Sequence, residues 1–280
     1  MPNPTMDAIR EPDIVMLPAG AERRSVRGQN FTIDWIEASP SAPLEIASDD
    51  ETMLILFDTS AQVIGDGQSV TVPRRGLAVL PPGVHAARLE GSGRACVLST
   101  SRRSGPTPAL NAASYALANP RVAPVGPPWK RTGDPRKLQV FDIDKVKAPA
   151  DNPRLKMFQS ATMSINWVDY QGPRDRTALS PHSHANFEQA SLAVAGEFVH
   201  HLRVNWGKNA EEWRDDQHVQ VGSPSVLVIP PEVIHTTEGV GPGHHLLIDV
   251  FAPVRRDFVA KGWVANASEY LDPAKGRLCT

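Results

Sequence analysis

The sequence predicts an all-β protein, a sandwich or barrel architecture laid out twice in tandem, and three observations carry that prediction. Apolar runs of strand length recur at 52–57, 77–80, 190–195, 226–229 and 246–251, each bounded by turn-forming residues. Pro (26) and Gly (20) are abundant, and no long stretch keeps the apolar period of a helix. Third, one stretch echoes another. Leu-Ala-Val-Leu-Pro-Pro-Gly-Val-His at 77–85 resembles Val-Leu-Val-Ile-Pro-Pro-Glu-Val-Ile-His at 226–235, and the run 51–58 upstream of the first resembles 189–196 upstream of the second. The spacing is about half the chain, which fits two copies of one β domain rather than a solenoid.

Taken in order, residues 1–100 read as the first β domain. Residues 101–155, rich in Pro, Ala and basic side chains, read as a linker with one helical segment at 110–118. A linker of that length is expected to pack across both halves. Residues 156–280 read as the second domain. It opens on a strand-like run at 161–169, followed by a loop carrying Arg174 and Arg176. The polar insertion 205–219, with Trp206 and Trp213, reads as a lid or rim loop, and 252–280 as an irregular wrap. Gly239-Val-Gly-Pro-Gly243 has no helix after it and reads as a turn, not a dinucleotide fingerprint.

Composition narrows the function classes. The 280 residues are enough for a real core; the net charge of −2 and scattered basic residues give no footprint for nucleic acid or an anionic membrane. Cys96 and Cys279 lie too far apart in the chain to suggest a disulfide framework or a thiolate metal site. Residues 1–20 lack an apolar secretory core, and no run reaches the length of a membrane span, so a soluble cytoplasmic protein is expected.

The chemistry concentrates in Pro181-His182-Ser183-His184-Ala185-Asn186-Phe187-Glu188-Gln189, answered by His235. Side chains two apart on an extended chain share a face, so His182 and His184 converge. With His235 they offer three imidazoles, a set suited to a divalent transition metal. The fourth group is Gln189 or Glu188. Parity places Gln189 with Ser191 and Ala193, small residues able to line a pocket, and Glu188 with Ala190, Leu192 and Val194. Gln189 is favoured and Glu188 is the alternative.

These residues resemble the cupin superfamily, whose first motif runs His-x-His, Glu, Gly and whose second runs Gly, Pro-x-Gly-x-x-His. Here His182, His184, Gln189 and Gly196 fill the first, and Gly222, Pro230 and His235 the second, with Glu232 where the family often has Gly. The resemblance is strong from 163 to 253 and weak from 31 to 99. It implies two tandem jelly-roll barrels, a bicupin, with the metal motif intact only in the second. Counting back from Glu51 at the family spacing reaches Leu44 and Ile46 instead of two His, and His85 comes one residue early. The first barrel is therefore expected to hold no metal and His85 to be an ordinary surface or core residue. Three neutral imidazoles and an amide would leave the full +2 charge on the metal, favouring an anionic ligand or an acidified water.

Around that motif, His200 and His201 must point to opposite faces of a strand. His201, sharing parity with Arg203, is a candidate to touch substrate, with Arg203 as a carboxylate clamp. Glu188 is a candidate proton carrier. Asn166, Trp167, Tyr170 and Arg176 are candidates for the mouth, and Asp249, interrupting an apolar strand, needs a hydrogen-bond partner. The resemblance implies one divalent transition metal per chain, Fe(II) first, with Zn, Mn or Ni as alternatives. It implies a dioxygenase-type oxidoreductase acting on a small oxygenated or carboxylated metabolite. A non-redox isomerase, lyase or hydrolase is the second reading and a non-catalytic small-molecule binder the third. Exposed strand edges and an inert first barrel predict a homodimer.

Overall fold

The computed structural model describes residues 9–18, 23–38, 43–101, 108–272 and 277–278; Cys279 and residues 1–8 of the expected N-terminal region lie outside them. The protein is almost entirely antiparallel β. One six-stranded sheet runs in the order Gln139–Asp142, Gly76–Leu80, Thr52–Leu56, Gly93–Thr100, Phe31–Ala38, Arg23–Arg27. A second runs Asp13–Met16, Ser225–Ile229, Gln189–Ala195, His244–Phe251, Ser164–Gln171, Leu155–Gln159. The two orders match position for position. A four-stranded sheet (Leu44–Ser48, Gly83–Leu89, Ala61–Gly65, Gln68–Val72) covers the first, and a three-stranded sheet (Gln217–Gly222, Glu197–Arg203, Ile234–Val240) covers the second.

The apolar runs are continuous because both faces of these strands are covered. In Thr52–Leu56, Met53 and Ile55 enter the core between the two six-stranded sheets, whereas Leu54 and Leu56 pack under the four-stranded sheet. In Gln189–Ala195, Ala190, Leu192 and Val194 enter the same inter-sheet core, leaving Gln189, Ser191 and Ala193 for the other face. Trp35, Phe57 and Trp167 stack in a row across the inter-sheet core, with centroids 5.5 and 5.9 Å apart. Each such pair adds about 0.5–1.5 kcal/mol beyond area burial. The halves thus share one core.

The expected division at 1–100, 101–155 and 156–280 is crossed twice. Asp13–Met16 pairs with Ser225–Ile229 of the second sheet, and Gln139–Asp142 pairs with Gly76–Leu80 of the first. Each six-stranded sheet takes its edge strand from outside its own expected domain. The helix expected at 110–118 is a single 3₁₀ turn, Ala112–Tyr115. The rim insertion contributes the start of the strand Gln217–Gly222, and the tail holds a short helix, Arg256–Ala260, and the strand Tyr270–Asp272 paired with Lys130–Arg131. No helix among the described residues is long and apolar enough to cross a membrane.

Candidate metal centre

Two short backbone contacts assemble the histidines. His182 and His235 form an isolated antiparallel bridge, N–H to carbonyl in both directions at 3.1 and 2.8 Å. The Glu232 N–H donates to the His184 carbonyl at 2.7 Å. Glu232 holds φ of 69°, the left-handed turn for which the family motif uses Gly, and its carboxylate pairs with Arg121 at 2.8 Å. Gly196, the motif glycine, has φ of 97°, and a Cβ there would lie 2.6 Å from the His245 ring. Together these contacts bring ligand atoms of His182, His184 and His235 within 4.8 Å of one another.

Gln189 completes the cluster. Its Oε1 lies 2.8 Å from His184 Nε2 and 3.1 Å from His235 Nε2. Its Nε2 donates to Ser191 Oγ at 3.1 Å and Asp249 Oδ1 at 3.0 Å, so the amide is oriented with its oxygen toward the imidazoles. Asp249 also accepts from Ser191 at 2.7 Å and from Asn166 at 3.3 Å, the structural partners its buried carboxylate required. Burial pushes the Asp249 carboxyl pKa up, against those hydrogen bonds.

The donor chemistry fits a cation. His182 Nδ1 lies 2.9 Å from the Ser180 carbonyl, and His235 Nδ1 lies 2.9 Å from the Val233 carbonyl; a carbonyl only accepts, so each Nδ1 carries the proton. That leaves a bare lone pair on Nε2. For His235, the bare Nε2 faces the Gln189 oxygen, acceptor against acceptor. A second proton is no remedy, because burial lowers the His235 pKa to about 3 and that of His184 to about 4. A metal ion shared by these lone pairs would resolve the conflict, with the Ser180 and Val233 carbonyls fixing two of the rings from behind.

His182, Gln189 and His235 open onto a cavity of about 420 Å³ whose wall includes Asn166, Tyr170 and Asp249. Arg255, which sequence reasoning missed, forms another wall. Its guanidinium lies 3.7 Å over the Phe258 ring and pairs with Asp257 at 2.7 Å. Its signal was only a basic pair after the last long strand.

Other expected residues fall elsewhere. Glu188 is 1 % exposed and is not brought to the imidazoles; parity sends it toward the first half, where it accepts from Gln29 N–H at 2.5 Å and Tyr115 Oη at 3.1 Å. His201 and Arg203 are corrected too. His200, not His201, points inward, hydrogen-bonded to Thr237 at 2.9 Å. The register pairing His200 with Thr237 and Leu202 with His235 fixes this parity. His201 contacts His218 and Glu238 on the outer face, and Arg203 is held by Asp216 at 2.9 and 3.0 Å. Trp167 is buried in the inter-sheet core, and Arg176 pairs with Glu238 outside the cavity at 3.2 Å. His85 is buried, with Nε2 2.9 Å from the Pro81 carbonyl.

No protein-family model matches this chain, and no curated protein matches it in sequence. Solved structures do match. A mutant of Bacillus subtilis oxalate decarboxylase OxdC superposes with a TM-score of 0.55 at 13% identity, over 86% of this chain and 75% of that one. The Lactobacillus farciminis oxalate decarboxylase formate complex gives 0.55 at 15% identity, over 91% and 88%. AerE from Microcystis aeruginosa gives 0.54 at 9% identity, over 88% and 99%. All three are cupin-fold proteins, and this chain has the cupin fold.

Proposed function

We propose that this protein is a metal-dependent cupin enzyme in which His182, His184, His235 and Gln189 hold one divalent transition metal and present a small oxygenated or carboxylated metabolite to it. The observation that carries the reading is the buried His235 ring, flanked by oxygen acceptors at both nitrogens. The matching strand orders of the two six-stranded sheets support the wider reading of two jelly-roll units in tandem, a bicupin with the metal in the second.

A divalent metal supplies an electrophilic centre here, and Fe(II) adds reactivity with O₂. The chain's own residues bind, orient and exclude water. The Ser180 and Val233 carbonyls hold two imidazoles with Nε2 bare. Asp249 and Ser191 hold the Gln189 amide. Phe251, Phe258 and the stacked Arg255 close one side of the cavity against solvent. The favoured chemistry is oxidative, of the dioxygenase type. A non-redox isomerase, lyase or hydrolase is the second reading, favoured by the all-neutral donor set, which leaves the metal a stronger Lewis acid than a carboxylate-ligated one.

Elemental analysis of the purified protein, combined with O₂ uptake over a panel of small acids, tests the reading. Stoichiometric Fe with substrate-dependent O₂ uptake is the expected result, and Zn, Mn or Ni with turnover but no O₂ uptake selects the second chemistry. A protein without metal, unaffected by His182→Ala, overturns both.

A further inference from the structure

The cavity that takes in His182 and His235 also takes in Thr236 and Thr237 of the strand Ile234–Val240 and two arginines, Arg154 and Arg174. Arg174 donates its backbone N–H to the Gly239 carbonyl at 3.0 Å. Gly239 lies beyond His235 on that strand by about 13 Å at the usual strand rise. The side chains of Arg174 and of Arg154, just before the strand Leu155–Gln159, both line the cavity. Among the described residues neither guanidinium makes an ion pair. Arg174 reaches only the Ala178 carbonyl, at 3.3 Å, and Arg154 makes no hydrogen bond.

The other charges of the cavity have partners of their own. Arg255 is paired with Asp257, although its Nη1 has no hydrogen-bond partner, Lys261 sits over the Trp263 ring, and Asp249 is tied to Gln189 and Ser191 beside the imidazoles. Burial, and then the charge of Arg154, push the Arg174 pKa below its ordinary value. Two like charges that repel each other across one cavity are unfavourable until an anion joins them.

We propose that Arg154 and Arg174 form an anion subsite, so that the substrate is a small organic dianion with one oxygenated end at the His182–His184–His235–Gln189 cluster and a carboxylate between the two guanidinium groups. Only the near end of this assignment rests on the metal-centre reading. Guanidinium groups take a carboxylate through charge-assisted, often bidentate bonds. A neutral donor set leaves the other end with the full metal charge for a second anionic group. A cavity of about 420 Å³ is of metabolite size. A monoanion leaves one end uncompensated, so the site discriminates by charge number.

Calorimetric titration with the dicarboxylates succinate, glutarate and adipate, each against the monocarboxylate of equal chain length, tests the subsite. The proteins are Zn-loaded and metal-free wild type and the R154Q/R174Q double variant, with a cooperative thermal unfolding transition as the check on folding. At least one dicarboxylate is expected to bind the Zn-loaded wild type about tenfold or more tighter than its monocarboxylate, and the double variant loses that preference. Zn-loaded wild type that binds each pair equally, or a double variant that keeps the preference, overturns the subsite and leaves the metal centre standing. A protein that takes up no Zn, yet shows an Arg-dependent preference for dicarboxylates, retains the subsite and overturns the metal centre.

Discussion

The two halves of the molecule solve one strand plan in opposite ways. Thr52 stands opposite Leu80 as Gln189 stands opposite Ile229, and Ile46 stands opposite His85 as His182 stands opposite His235. In the first half, the space under the smaller sheet is packed with Ile46, Leu54, Leu56, Val63, Ala87 and their neighbours. In the second, the corresponding space holds a cavity lined by His182, Gln189 and His235, with His184 buried beside them in the same cluster. Interiors pack to crystal-like density, so a half that keeps a cavity gives up contacts that its twin retains. The twin and the shared inter-sheet core form a packed scaffold beside the half that holds the histidine cluster.

The register also relates Glu188 to Glu51. Glu188 precedes Gln189 as Glu51 precedes Thr52, and the two glutamates act as reciprocal struts. Glu51 accepts from Ala161 N–H at 2.7 Å and Tyr270 Oη at 2.8 Å, and pairs with buried Arg131; Glu188 accepts from Gln29 N–H and Tyr115 Oη. Each carboxylate reaches from its own half to the turn that opens a strand pair of the other. The expected equivalence of Glu51 with Gln189 is therefore off by one residue.

The sharpest break between the halves is metal affinity. Loss of a residue that merely supports a ligand lowers metal affinity by about 10–100-fold, so His235→Ala is expected to lower it by more than that. His85→Ala is expected to leave it unchanged. Equilibrium dialysis against Zn measures both. Next in size is Glu51→Ala, which strands the Arg131 guanidinium in the core. It should cost about 3–5 kcal/mol in urea unfolding without altering bound metal.

Asp249→Asn frees the Gln189 amide to turn its nitrogen toward the imidazoles. About 10–100-fold weaker metal binding is the expected outcome, with melting temperature nearly unchanged. Glu188→Ala should do the reverse, costing about 1–3 kcal/mol through the unpaired Gln29 N–H and Tyr115 hydroxyl while metal content stays constant. A variant that loses its metal would restore Glu188 as a ligand.

The smallest contrast is in pH. The folded pKa values of His184 and His200 are about 4 and that of His235 about 3, all depressed by burial from an ordinary value of 6.5. Groups with depressed folded values stabilise the protein fully above the unfolded pKa and lose that contribution as pH falls toward the folded one. The melting temperature of metal-stripped protein should therefore fall from pH 6.5 toward pH 4. The slope should be shallower in His200→Gln, which removes one of the three groups from the second half alone.

Much of this was legible in the chain. Strand-length runs and the Pro-Pro echo disclosed the duplicated strand plan, and parity at Gln189 separated the amide that joins the imidazoles from the carboxylate that does not. What failed was long-range. No local pattern says that Asp13–Met16 crosses to the second sheet, because an edge strand's partner is fixed by tertiary pairing. His200 and His201 could not be ordered from parity without the register against Ile234–Val240. Arg154, Arg174 and Arg255 come from three separate segments, and only folding brings them to one cavity.

The asymmetry between the halves meets its most direct test in metal stoichiometry, by elemental analysis after saturation and desalting, for wild type and the H182A/H184A double variant. One metal per chain in the wild type and none in the variant is the predicted result. Two per chain, or one that survives loss of both histidines, would contradict the assignment of a single centre to the second half.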